Sequence, residues 1–314
     1  MNFLNMQEGK NSWKQYVSSF IVIIFFIFIA GIPYAIIGEM LVQSDCNPNS
    51  YYDDEIVDFV GLNPLVNFTL MNSVFVFWLL GVYIAIRFIH KRKFITLITP
   101  NRKIDWKKIS FGFITFFLIL SMTLFIDALL NPGDYSLNSI HFSDFLMLFV
   151  LVLILTPIQT TCEEVFFRGY LMQLIGKWVR NPIILSLIAG AIFGSLHFEN
   201  PEMKYSPILV GADYLLTGFV WCYISAKTNS IELSIGAHAA NNMLLGWFLT
   251  MDDSVMGNIP SLFVVKDIDP LTTLMWTAVS LGIFLYISLK KYKGTAFYNS
   301  KSLQSVTNNN EESC

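Results

Sequence analysis

Eight stretches of this 314-residue chain are apolar over lengths comparable to a bilayer crossing, and that restricts the fold more than any other feature. A helix needs about 20 apolar residues to span a hydrocarbon core of ~30 Å, and in lipid every backbone amide must be satisfied within the structure. The runs cover Tyr16 to Val42, with Pro33 inside, then Pro64 to Ile89, Ile109 to Leu130 and an overlong Phe145 to Ile175. They continue with Pro182 to Phe198, Pro207 to Ala226, Ile231 to Thr250 and Leu271 to Leu289. Breaker clusters such as Asn131-Pro132-Gly133 and Arg180-Asn181-Pro182 separate them. A hydrophobic content of 54%, a charged content of 14% and a mean hydropathy of +0.55 exclude an ordinary soluble domain. The expected fold is all-α, a polytopic membrane helix bundle with about eight transmembrane helices.

Basic residues orient such a bundle, because Lys and Arg are retained on the cytoplasmic side. Lys10 and Lys14, the connection from Arg87 to Lys108, Lys177 with Arg180, Lys227, and the tail lysines fall on one side of an eight-span arrangement. They make up 17 of the 20 basic residues. The first loop on the other side carries Asp45, Asp53, Asp54, Glu55 and Asp58 and no cation, so both termini are expected in the cytoplasm. The first apolar run is too long for a signal-peptide core and is read as a retained span. Residues 1–142 are expected to form a three-span region with an acidic extracytoplasmic loop, and residues 143–293 a functional core plus the last span. The stretch 294–314 is expected to be a disordered tail. Four cysteines, Cys46, Cys162, Cys222 and Cys314, show no metal spacing and imply no disulfide framework.

Charge inside the spans is costly, at least ~2.5 kcal/mol for an acid or base at mid-bilayer, so ionisable residues there are functional candidates. The fourth run contains Glu163-Glu164 and Arg168. Glu164 and Arg168 are four apart in the favourable acid-first order, which predicts an ion pair on one helix face. Glu163, about 100° away around the helix, has no such local partner and suits a general base or acid. The fifth run ends in Phe193-Gly194-Ser195-Leu196-His197, and the seventh contains His238-Ala239-Ala240-Asn241-Asn242. His238 and Asn242 share a helix face, with small alanines between them that let another helix approach. Each feature alone could be a hydrogen-bonded anchor or an interhelical clasp. Asp213, in the sixth run between Gly211 and Gly218, either lines the same cavity or pairs with a neighbouring helix.

At 1.5 Å of rise per residue, Glu163 lies about 20 Å from a helix end near Gly176, and His197 about 22 Å beyond Pro182. His238 lies only about 10 Å from Ile231 if that segment is helical throughout. It would meet the others more easily if residues 229–234 were extended, which would imply irregular backbone facing a wet cavity.

The ordered set Glu163-Glu164-x-x-x-Arg168, Phe193-x-x-x-His197 and His238-x-x-x-Asn242, on successive hydrophobic segments, resembles the CPBP family of intramembrane proteases. That family includes CaaX-processing endopeptidases of prenylated proteins and bacterial Abi proteins linked to bacteriocin self-immunity. The resemblance covers residues 151–249. It implies that Glu163 activates the attacking water with help from His197, that His238 and Asn242 stabilise the oxyanion, and that Glu164 with Arg168 supports the site. Peptide hydrolysis needs a base, an oxyanion donor and a proton for the leaving amine, and these side-chain types supply them. No His-Glu-x-x-His helix is present, so no metal is assigned and no cofactor is certain. A zinc ion could still be held by Glu163, His197 and His238, in which case Glu164 becomes the better base. The implied partners are a peptide or lipidated protein substrate, membrane lipids and, for the extra N-terminal spans, a partner membrane protein. Nucleic acid is not expected. The implied location is the bacterial cell membrane, as a multi-pass integral protein.

Two other classes remain compatible with the residues. A non-catalytic membrane regulator could use the same fold to bind a partner. A proton-coupled transporter could relay protons through buried Glu and His, although its candidates here cluster in one half of the chain with no matching broken helices in the other.

Overall fold

The chain was analysed as a computed structural model, which describes residues 3–45, 47–53, 58–251, 258–266 and 268–292. Cys46, Cys314 and the expected disordered tail lie outside these residues.

Each apolar run becomes a helix, as lipid requires of backbone that has no water to bond. The helices are α1 (Trp13–Asp45), α2 (Pro64–Ile84), α3 (Trp106–Leu130), α4 (Phe142–Glu164), a short α5 (Met172–Ile175), α6 (Pro182–Ser195), α7 (Pro207–Thr228), α8 (Glu232–Phe248) and α9 (Pro270–Tyr292). A π-helical turn over Val165–Leu171 joins α4 to α5, and another, Ala85–Ile89, closes α2. Proline at the first turn and an asparagine cap start both α2 and α6, where the missing N–H costs nothing. Six of these helical stretches are long and apolar enough to cross a membrane. α6, at 14 residues, and α8, at 17, extend only about 21 and 26 Å. Side chains such as Phe20, Phe28, Leu118, Leu153 and Ile208 are exposed on the outer faces, as a lipid-facing surface demands.

The connections rich in Lys and Arg gather at one end of the bundle. The Lys10 amide donates to the His90 carbonyl (2.7 Å), Lys177 Nζ to the Asn11 carbonyl, and Lys108 Nζ to the Thr228 carbonyl (3.0 Å). The opposite end carries the only described strands. β1 (Tyr51–Asp53) and β2 (Asp58–Val60) form an antiparallel pair. β3 (Tyr135–Leu137) pairs antiparallel with β5 (Phe263–Val265), which also takes β4 (Leu249–Thr250) in parallel.

α8 is the least lipid-like helix and lies inside the bundle, buried from Glu232 through Ala240. α3 supports it on one side and α4 on another. Backbone meets backbone where α3 and α8 cross. A Cβ on Gly236 would stand 2.1 Å from the Ile109 carbonyl oxygen, and one on Gly112 would stand 2.4 Å from that of Leu233.

The turn entering α8 is not extended, contrary to the sequence expectation. Asn229 is left-handed (φ 57°), and the helix begins at Glu232. His238 reaches its depth because the whole turn is sunk, with Thr228, Ser230, Ile231 and Glu232 at most 2% exposed. Buried polar groups are tolerated only when partnered, and these are. Lys108 Nζ lies 3.7 Å from Glu232 Oε2 and bonds Ser230, the Asp105 amide donates to Glu232 Oε1 (2.7 Å), and the Ile231 amide donates to the Ile98 carbonyl (2.9 Å). The Phe3 amide completes the set by donating to Asn229 Oδ1 at 2.8 Å.

Candidate active site

α4 and α8 face each other with their polar residues in register. Gln159, Glu163 and Glu164 come from α4, and His238 and Asn242, one helical turn apart, come from α8. Glu164 is fully buried and holds two partners through one oxygen. Its Oε1 lies 3.0 Å from Arg168 Nη1 and 2.9 Å from His238 Nδ1. The ion pair expected from the four-residue spacing is present, with both side chains 0% exposed.

Arg168 is otherwise surrounded by ring faces. Its guanidinium carbon lies 4.1 Å from the Phe193 centroid, 5.5 Å from that of Trp221 and 6.0 Å from that of Phe167, with the Cys222 thiol beside it. Such contacts offset part of the desolvation of a buried cation. Trp221 also lies 4.6 Å from the His238 ring, so one indole braces both partners of Glu164.

A carboxylate can only accept, so His238 presents N–H at Nδ1 to Glu164 and, when neutral, a lone pair at Nε2. That Nε2 lies 3.7 Å from Glu163 Oε2. The separation is too long for a direct hydrogen bond and short enough for one water to touch both atoms. Glu163 is not without a local partner, as its sequence neighbours suggested. Its Oε1 accepts from Gln159 Nε2 at 2.6 Å, and Gln159 Oε1 accepts from Asn242 Nδ2 at 3.1 Å. Glu163, Gln159, Asn242 and His238 therefore close a ring between the two helices.

His197 stands off this ring. Its Nδ1 bonds the Phe193 carbonyl (2.8 Å), its imidazole stacks on Tyr214 at 4.4 Å, and it lies within electrostatic reach of Glu163. The closest described imidazole to Glu163 is thus His238, where depth alone pointed to His197. Asp213 lies on α7, and its Oδ1 has no hydrogen-bond partner among the described residues.

Three residues of the site were not singled out from sequence. Gln159 carried a usable signal, since it lies four residues before Glu163 on the same helix face. Trp221 and Tyr214 carried none, because one aromatic among many in a greasy helix looks like packing. Among the described residues no three His, Cys, Asp or Glu side chains gather as a metal-binding group. Nδ1 of each candidate histidine is bonded, which leaves Nε2 as the ring nitrogen that faces the site.

An imidazole lies between two buried carboxylates with a carboxamide beside it, in a chain with six helical stretches long and apolar enough to cross a membrane, which fits a multi-pass membrane protein. A family model described as type II CAAX prenyl endopeptidase Rce1-like matches residues 142–244, a span that holds all three motifs. The uncharacterized protein YyaK of Bacillus subtilis is 42% identical over 294 residues, 93% of this chain and 96% of that one. The chain belongs to this Rce1-like family of CAAX-type proteases, and the resemblance drawn from its motifs is borne out. No solved structure matches it.

Proposed function

We propose that this chain is a membrane-embedded endopeptidase that hydrolyses a peptide or lipidated protein, with Glu163 as the general base. A water between Glu163 Oε2 and His238 Nε2 loses its proton to the carboxylate and attacks the scissile carbonyl. Asn242 donates its remaining N–H to the oxyanion, and the proton returns from Glu163 to the leaving amine. Glu164 fixes the His238 tautomer, Arg168 pairs with Glu164, and His197 lines the approach to the water. No step uses a metal. The chain crosses the membrane eight times with both termini in the cytoplasm. Peptide maturation or self-immunity to a bacteriocin is the biological setting we propose for this activity.

The observation that carries this reading is His238 spanning both glutamates, Nδ1 at 2.9 Å from Glu164 and Nε2 at 3.7 Å from Glu163. Glu164 thereby orients His238, whose Nε2 faces the carboxylate proposed as the base. Mass spectrometry of membrane peptides from cells carrying the wild-type protein or Glu163→Gln tests it. A precursor accumulates in the variant, naming substrate and bond together, and His197→Ala gives the same accumulation. Wild-type processing by both variants refutes the enzyme. A biological effect that survives loss of cleavage assigns the fold to binding a partner instead.

A further inference from the structure

We propose that Gln159 is a positioning residue that joins the base to the oxyanion donor and selects which oxygen of Glu163 is free to react. This rests on the reading of Glu163 as the base. Gln159 is a half-buried carboxamide in a helix whose neighbouring positions are Leu155, Pro157 and Ile158. The chemistry of its two bonds fixes its orientation. Glu163 Oε1 can only accept, so the Gln159 amide must turn Nε2 toward it, at 2.6 Å. Its Oε1 then faces Asn242 and accepts from Nδ2 at 3.1 Å.

Asn242 is constrained on its other side as well, since its Oδ1 accepts from Asn241 Nδ2 at 3.0 Å. Both ends of the Asn242 amide are thus assigned. What it has left to offer is one N–H hydrogen, the group an oxyanion needs. Glu163 Oε1 is likewise occupied, which leaves Oε2, the oxygen nearest His238 Nε2, for the water. Only a side chain with both a donor and an acceptor, and the reach of glutamine, makes both connections.

Gln159→Met keeps the volume and unbranched shape while removing both bonds. In proteoliposomes with a fluorogenic prenylated CAAX peptide, kcat is expected to fall about 10- to 100-fold, with KM little changed. Gln159→Met combined with Asn242→Ala is expected to be no slower than the worse single variant, because both act through one linkage. A second measurement needs no substrate. Labelling of Glu163 by a hydrophobic carbodiimide, read by mass spectrometry, rises several-fold in Gln159→Met as Oε1 is released. Labelling of the partly buried Asp213, on α7 outside the linkage, stays constant.

Unchanged labelling at Glu163, or an equal rise at Asp213, overturns the proposal. So does a wild-type kcat in Gln159→Met when Glu163→Gln abolishes cleavage. If Glu163→Gln cleaves as well as wild type, or the wild-type protein cleaves nothing, the enzyme reading fails by itself. The labelling result then decides alone whether Gln159 holds Glu163.

Discussion

Replacing Glu164 with glutamine removes the carboxylate that balances Arg168, and the cost follows from the surroundings. Both side chains are 0% exposed, and among the described residues no second carboxylate pairs with the guanidinium. Breaking a buried pair by deleting one partner costs ~3–5 kcal/mol, since the remaining charge is left desolvated. The Phe193 ring at 4.1 Å supplies about 2 kcal/mol at best, and it supplies that before and after the change. It cannot absorb the loss. At roughly 2 °C per kcal/mol, the midpoint of thermal unfolding in detergent should fall by about 6–10 °C. Glu164→Gln combined with Arg168→Met should recover most of this fall, because removing both charges together is close to neutral. Cleavage should not recover, since an amide at position 164 can donate to or accept from Nδ1 and no longer fixes the His238 tautomer. Size-exclusion of heated, solubilised protein reads the midpoint. A wild-type midpoint in Glu164→Gln, or a double variant no more stable than the single one, would refute the argument that this pair exists to neutralise Arg168.

Gly236→Ala places a methyl group where the Ile109 carbonyl already stands, at 2.1 Å, and should cost about 1–3 kcal/mol while displacing His238 from Glu164. Thermal unfolding and cleavage should therefore fall together, whereas unchanged values would mean that the helices are not held this close. His90, outside the spans at the basic end, has its pKa lowered from 6.5 to about 4, first by burial and then by the Arg92 charge. A depressed histidine is neutral in the folded state, so its contribution is complete above pH 6.5 and is lost as pH falls toward about 4. Unfolding midpoints measured across that window should drop less steeply in His90→Gln than in wild type.

How much of this was legible in the chain can be followed residue by residue. The Glu164 to Arg168 contact followed from spacing, because a helix repeats every 3.6 residues whatever surrounds it. The shared face of His238 and Asn242 followed for the same reason. Grouping of the basic connections at one end followed from the charge pattern, and every residue of the three motifs falls within the matched family span. The partner of Glu163 did not follow. Depth counted from helix ends favoured His197, on the assumption that each run starts at the membrane surface, and α8 does not. Its turn is buried under Lys108, Asp105, Ile98 and Phe3, contributions from three distant segments that no local pattern joins.

The sequence by itself determined that this is a helical membrane protein, which residues lie on common helix faces, and which few polar groups must share the interior. Those are consequences of hydrophobic length and helical period, both local quantities. Only the tertiary structure decided that His238 bridges the two glutamates and that Gln159 links Glu163 to Asn242. Each of these depends on how far α8 slides along α4. α8 is braced from the α3 side by a buried lysine–glutamate pair and by a glycine contact that brings two backbones together, and hydropathy does not record either.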